Sequence, residues 1–139
     1  MNNLLIFGVG LIGGSIAIEC QKKQMFNHVV GVQREGGTSL SPFVSNGMID
    51  RVSDNLSDDI KQADFIVIAT PVAQIRNILT TISRSLSPKT IVIDVGSTKS
   101  NVMRFAKEEL KEKFPQFVGS HPIAGSEQHG PAAAKINLF

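Results

Sequence analysis

A chain of 139 residues, 42% of them hydrophobic, is long enough for one domain with its own core. Lys and Arg number 14 and Asp and Glu 12, a net charge of +2 with no basic block and neither Tyr nor Trp, so nucleic acid is not an expected partner. The lone cysteine, Cys20, excludes an internal disulfide and suits a reducing compartment, with the cytoplasm as the expected location.

In chain order, strands and helices alternate. Leu4 to Phe7 is a continuous apolar run, the pattern of a strand covered on both faces. Leu11 to Gln24 reads as a helix. The apolar stretch from Leu4 to Cys20 is not a membrane or signal segment: four glycines interrupt it, no basic residue precedes it and Glu19 lies near its end. No membrane partner is expected. His28 to Gln33 is a second strand. Ser41-Pro42 opens a short helix, with Ser41 as cap and proline at the first helical position. A weak strand is expected at Ile49 to Val52, and a short helix or turn at Ser57 to Gln62. Phe65 to Ala69 is the clearest strand, and Thr70-Pro71 opens the next helix by the same cap-then-proline rule, running to about Ser85. Ser87-Pro88 breaks the chain. Thr90 to Asp94 is a further buried strand, Gly96-Ser97-Thr98 leads into a helix ending near Lys113, and Phe117 to Gly119 is the last strand. This alternation predicts an α/β fold of Rossmann type, a doubly wound, mainly parallel sheet with helices on both faces.

Gly8-Val9-Gly10-Leu11-Ile12-Gly13 follows the first strand and opens the first helix, the context in which the pattern binds a dinucleotide. Gly8 permits the tight turn, Gly10 clears space for the pyrophosphate, and Gly13 lets helix and strand pack closely. The start of the helix, at Leu11 and Ile12, offers free N–H groups to the phosphates. At the end of the second strand, where NAD-binding domains carry an acid for the ribose hydroxyls, stand Gln33 and Arg34. Glu35 is adjacent but points to the other side if the strand continues. Arg34, with Thr38 or Ser39 beyond the Gly36-Gly37 pair, suits a 2′-phosphate, so NADP is the expected cofactor and NAD the alternative.

Ligands in such sheets lie beyond the carboxyl ends of the strands. Ala69, Thr70 and Pro71 are candidates for the nicotinamide side. Ser97 reads equally as a helix cap or a site hydroxyl. His121 directly follows the last strand, where a neutral imidazole could take a proton from a substrate hydroxyl as hydride leaves the same carbon. His28 and His129 read as structural, and no metal site is expected.

Four segments, Gly8 to Ser15, Ala69-Thr70-Pro71-Val72, Asp94-Val95-Gly96-Ser97-Thr98-Lys99 and Gly119-Ser120-His121-Pro122-Ile123-Ala124-Gly125-Ser126-Glu127, together resemble the prephenate/arogenate dehydrogenase family. The first two occur in many dehydrogenases; the last two, in this order and spacing, carry the specificity. The resemblance spans essentially the whole chain but only the family's first domain, residues 1–139 here, whose missing second domain is helical and forms the dimer. It implies an oxidoreductase of tyrosine biosynthesis that passes hydride from prephenate or arogenate to NAD(P) with loss of carbon dioxide. It also implies His121 as the catalytic histidine, Ser97 as the hydroxyl that assists it and Glu127 as a pocket-gating acid. Gln33-Arg34, in place of the acid of NAD-using members, and Gln128-His129-Gly130, in place of a Ser-Gly ending, depart from the pattern. Asn137-Leu138-Phe139 reads as a chain that continues, and no arginine follows Arg104 to clamp substrate carboxylates, so this segment alone is expected to bind cofactor and turn over poorly. The competing readings are another Rossmann reductase, such as a beta-hydroxyacid dehydrogenase, and an NADP-sensing module without chemistry. The latter would have no use for His121.

Overall fold

Each short apolar run becomes a strand because both of its faces are covered, and each amphipathic stretch between runs becomes the helix that covers one. The computed structural model describes residues 1–122 together with Ala134 and Leu138. The order is β1 (Asn3–Phe7), α1 (Leu11–Lys22), β2 (His28–Val32), α2 (Ser41–Ser45), β3 (Arg51–Val52), α3 (Leu56–Gln62), β4 (Phe65–Ile68), α4 (Val72–Ser85), β5 (Ile91–Asp94), α5 (Lys99–Leu110), a 3-10 helix (Lys111–Gln116) and β6 (Phe117–Gly119). The strands form one sheet in the order β3-β2-β1-β4-β5-β6, and every pairing is parallel. From β1 the chain winds outward through β2 and β3, then crosses back to β4 and winds the other way. The reversal between β1 and β4 is where such sheets open a crevice for a ligand.

Side chains alternate between the two faces of each strand, which gives two cores. Leu5, Phe7, Ile66, Ile68 and Val92 pack against Ile60 of α3, Ile75, Leu79 and Ile82 of α4, and Val102, Ala106 and Leu110 of α5. Leu4, Ile6, Val29 and Val67 face Ala17 and Cys20 of α1, with Leu40, Met48 and Ile49 closing the far side. Burial and the neighbouring Glu19 carboxylate push the Cys20 thiol up, so it is a packing group and not a nucleophile. No helix among the described residues is long and apolar enough to cross a membrane.

Several boundaries differ from the sequence expectation. Helix α1 stops at Lys22, before Gln24, because Gln24 turns left-handed (φ 50°) and the Met25 N–H closes back onto the Cys20 carbonyl at 3.0 Å. Ser41 does not cap α2; Leu40 does, through its backbone, and Pro42 sits in the first turn. Likewise Pro71, not Thr70, occupies the cap position of α4. The weak third strand shrinks to Arg51 and Val52. Its flanks still join the ladder, with the Asp50 N–H on Val29 and the Ser53 N–H on Gly31. The short helix α3 is capped by Asn55, whose side chain accepts the Asp58 N–H at 3.3 Å. Arg51 reaches across to Asp59, which Ser53 also holds at 2.6 Å. The helix expected to end near Lys113 ends at Leu110, where Lys111 turns left-handed (φ 52°) and a 3-10 turn containing Pro115 leads into β6.

Candidate functional site

Strand register sets the level of the site. Val32 pairs with Phe7, Phe7 with Ile68, Ile68 with Asp94 and Asp94 with Gly119. One row therefore crosses five strands at their carboxyl ends. The residues immediately beyond it are Gln33, Gly8, Ala69, Val95 and Ser120, so the loops of the described sequence-predicted site residues leave the sheet at one edge.

At the centre of that edge lies the glycine turn. Gly8 has φ +85°, a left-handed conformation that favours glycine, and an added Cβ would stand 2.7 Å from the Ala69 carbonyl. At Gly13 a Cβ would come within 2.2 Å of the Gly8 carbonyl oxygen, so the helix can sit this close to the turn only with glycine there. Gly10 is different: a Cβ there would meet nothing within 4 Å, because that residue borders an open cleft. Helix α1 starts without a side-chain cap and without an acid in its first turn. The N–H groups of Leu11, Ile12 and Gly13 have no acceptor within the helix. An anion would find there an uncontested positive dipole end.

The cleft has a volume of about 660 Å³. One arm runs to the end of β2, where Gln33, Arg34, Gly37 and Thr38 line it; the other runs to Ala69, Thr70 and Pro71 beyond β4. Gln33 spends its side chain on the loop. Its amide nitrogen donates to the carbonyls of Arg34 (3.1 Å) and Thr38 (2.9 Å), and its amide oxygen accepts the Leu40 N–H (2.9 Å). Arg34 is exposed and makes no ion pair with a described residue. At the other arm the Thr70 hydroxyl is buried without a hydrogen-bond partner, a costly state for a polar group unless a ligand completes it. An open cradle at Gly10, a free helix start and an orphaned hydroxyl fit a bound dinucleotide.

Beyond β5 and β6, Asp94 is fully buried. Its carboxylate accepts the Gly96 N–H at 2.8 Å and pairs with the Lys99 ammonium. The Ser120 N–H reaches it at 3.3 Å, and the Ser120 hydroxyl donates to the Asp94 main-chain carbonyl. Ser97 and His121 stand exposed on the two loops tied in this way. Ser97 does not cap α5, whose cap position is Thr98. Among the described residues no cluster of His, Cys, Asp and Glu could hold a metal ion.

The family described as prephenate dehydrogenase, nucleotide-binding domain, matches residues 16–139. The chain belongs to that family. It is 37% identical over 139 residues to the prephenate dehydrogenase of Bacillus subtilis, covering 99% of this chain and 37% of that protein. Among solved structures it is similar to the Aquifex aeolicus prephenate dehydrogenase in complex with hydroxyphenyl propionate and NAD+. That match has TM-score 0.86 and 32% identity, and covers 100% of this chain and 48% of the other. The Synechocystis arogenate dehydrogenase superposes with TM-score 0.82 at 29% identity, covering 99% of this chain and 46% of the other. The chain thus spans less than half the length of these relatives.

Against this prephenate dehydrogenase nucleotide-binding domain, the sequence-predicted residues fall into three groups. Gly8, Gly10, Gln33, Arg34, Thr38, Ala69, Thr70 and Pro71 line one cleft. Leu11, Ile12 and Gly13 do not line it; what they bring is backbone N–H groups and close packing. Ser97 and His121 reach the same edge of the sheet on neighbouring strands but share no hydrogen bond, and Glu127 lies outside the described residues. Sequence reasoning missed Gln74, Asn77, Ile78 and Thr81, which form the cleft wall contributed by α4. Their spacing of three to four residues, flanking the buried Ile75, Leu79 and Ile82, was the available signal.

Proposed function

We propose that the full-length protein catalyses the oxidative decarboxylation of prephenate or arogenate in tyrosine biosynthesis, with this chain as its NADP-binding domain. The observation that carries this reading is the single row of strand ends. It sets the glycine turn, the orphaned Thr70 hydroxyl and the loops of Ser97 and His121 side by side. A helical second domain that completes the substrate pocket and forms a homodimer belongs to the same proposal, as does Glu127 as the gating acid.

When bound, the nicotinamide supplies the hydride acceptor. His121 takes the proton of the ring hydroxyl as hydride leaves the carbon that bears it, and Ser97 steadies that hydrogen bond. The carbon–oxygen single bond becomes a carbonyl. The bond to the ring carboxylate then breaks, carbon dioxide departs, and its electron pair completes the aromatic ring. The proton held at His121 returns to the phenolate oxygen, which balances the reaction. Main-chain N–H groups of Leu11 and Ile12 hold the pyrophosphate, and Thr70 holds the nicotinamide side.

Steady-state assays of the full-length protein with prephenate and with arogenate test this. His121→Asn is expected to lower kcat by about 10²- to 10⁴-fold, the usual range for general acid–base catalysis, with cofactor affinity unchanged. Wild-type kcat in the variant would refute the mechanism. The isolated 139-residue segment is expected to bind cofactor and to turn over far more slowly than the full-length protein.

A further inference from the structure

We propose that Asp94 is a positioning residue that sets the catalytic loops of Ser97 and His121 against each other; the inference rests on the function proposed above. The row of strand ends brings the two loops to one level, but parallel strands alone do not fix where a loop goes after it leaves the ladder. Asp94 does that for both. Through one carboxylate it holds the Gly96 N–H at 2.8 Å, next to Ser97, and the Ser120 N–H at 3.3 Å, next to His121. Its main-chain carbonyl takes the Ser120 hydroxyl as well, so the residue before His121 is held from two sides of the same aspartate.

Such an arrangement is costly without compensation. A fully buried carboxylate must be paired and hydrogen-bonded to persist. Lys99, the first residue of α5, supplies the charge, and the two N–H groups supply the rest. Crowding tightens the turn: a Cβ at position 96 would lie 3.1 Å from the Asp94 carboxylate, so the residue before Ser97 is kept small. Asp94 is not among the residues that line the cleft. It works by removing freedom from the loops of Ser97 and His121, and misplacement of a reacting group by about 1 Å can cost on the order of 10²-fold in rate.

The test is a double-variant cycle in the full-length protein. Asp94→Asn keeps the shape but loses the charge that Lys99 needs and exposes an amide donor to donors. It is expected to lower kcat about 10²-fold, with the KM for cofactor unchanged. In the His121→Asn background the same change should have almost no further effect, because a positioning residue has nothing left to position. Where Asp94→Asn fails to fold, Ser120→Ala carries the cycle: a smaller kcat loss is expected, again absent in the His121→Asn background. An unchanged kcat, a matching loss of cofactor affinity, or losses that multiply fully with His121→Asn would each overturn the role of Asp94. A His121→Asn variant of wild-type kcat would instead overturn the reaction proposed above.

Discussion

The proposed preference for NADP rests on the loop after β2, and the geometry there gives it an expected size. Arg34 lines the cleft with no ionic partner among the described residues, so its guanidinium is available to a 2′-phosphate. A hydrogen bond to a charged group contributes about 1.5–3 kcal/mol. That corresponds to about a 10- to 150-fold preference for NADP over NAD. Gln33 would support the proposed preference indirectly, since all three of its hydrogen bonds go to the loop that carries Arg34 and Thr38. A glutamate at this position cannot donate. Gln33→Glu would lose two bonds worth about 1 kcal/mol each and set a carboxylate against two carbonyl oxygens and any 2′-phosphate. Titration calorimetry of the full-length protein with both cofactors is the assay. Arg34→Ala should weaken NADP by about 10-fold or more and NAD much less, and Gln33→Glu should shift the preference toward NAD. Equal wild-type affinities, or equal losses for both cofactors in Arg34→Ala, would refute the argument and leave stacking of Arg34 on the adenine ring as the better account.

Other consequences can be checked one by one. Thr70→Val replaces an unpartnered buried hydroxyl by a methyl, so the cofactor-free melting temperature should hold or rise while cofactor affinity falls about 2- to 10-fold; a loss of both would place the hydroxyl in the fold and not at the ligand. Gly13→Ala forces a Cβ to 2.2 Å from a carbonyl oxygen and should destabilise by about 3 kcal/mol, read by urea melts. Gly10→Ala, with open space around it, should cost less than about 1 kcal/mol of stability yet weaken cofactor binding, and a reversed order of the two would contradict the turn geometry. For Asp59, burial pushes the carboxyl up, but the bonds from Arg51 and Ser53 outweigh it and hold the group below its ordinary 3.8. A depressed carboxyl contributes its stability above that value and loses it as pH falls through the acid range below. Asp59→Asn should therefore be less stable at pH 7 by about 1–2 kcal/mol, discounted for the half-exposed Arg51, and should show a flatter decline toward pH 3. Parallel declines would show that the pair carries no linkage.

Much of the fold was legible because its signals were local and redundant. Phe65 to Ile68 is apolar at every position, and only a strand covered on both faces accommodates that. The glycine motif bound strand, turn and helix into one unit, and its steric logic at Gly8 and Gly13 is what the structure contains. Capping was less legible. Thr70-Pro71 and Ser41-Pro42 carry the same dipeptide signature, yet neither hydroxyl caps its helix. At Thr70 the hydroxyl is buried without a hydrogen-bond partner and bonds no N–H of the helix start; at Ser41 the helix begins one residue early, as Leu40 is anchored by Gln33 and buried in the core. Helix ends at Gln24 and Lys111 used left-handed non-glycine residues, which local propensity does not favour.

The site divides along the same line between local and long-range causes. Gln33 drew notice because it stands where an acid is usual, and its role as a clamp on Arg34, Thr38 and Leu40 follows from a loop that closes within seven residues. The α4 wall of the cleft, Gln74 to Thr81, escaped notice because polar residues beside a buried stripe look like any solvated helix face until β1 and β4 bring the opposite wall near. Asp94 was visible only as one letter of a motif. An acid at the end of a strand is ordinarily solvated; this one is sealed because β6 arrives beside it and turns Ser120 back onto it, 26 residues later. Long-range closure of that kind explains why a strand-end histidine could be proposed from sequence while the aspartate proposed to position its loop could not.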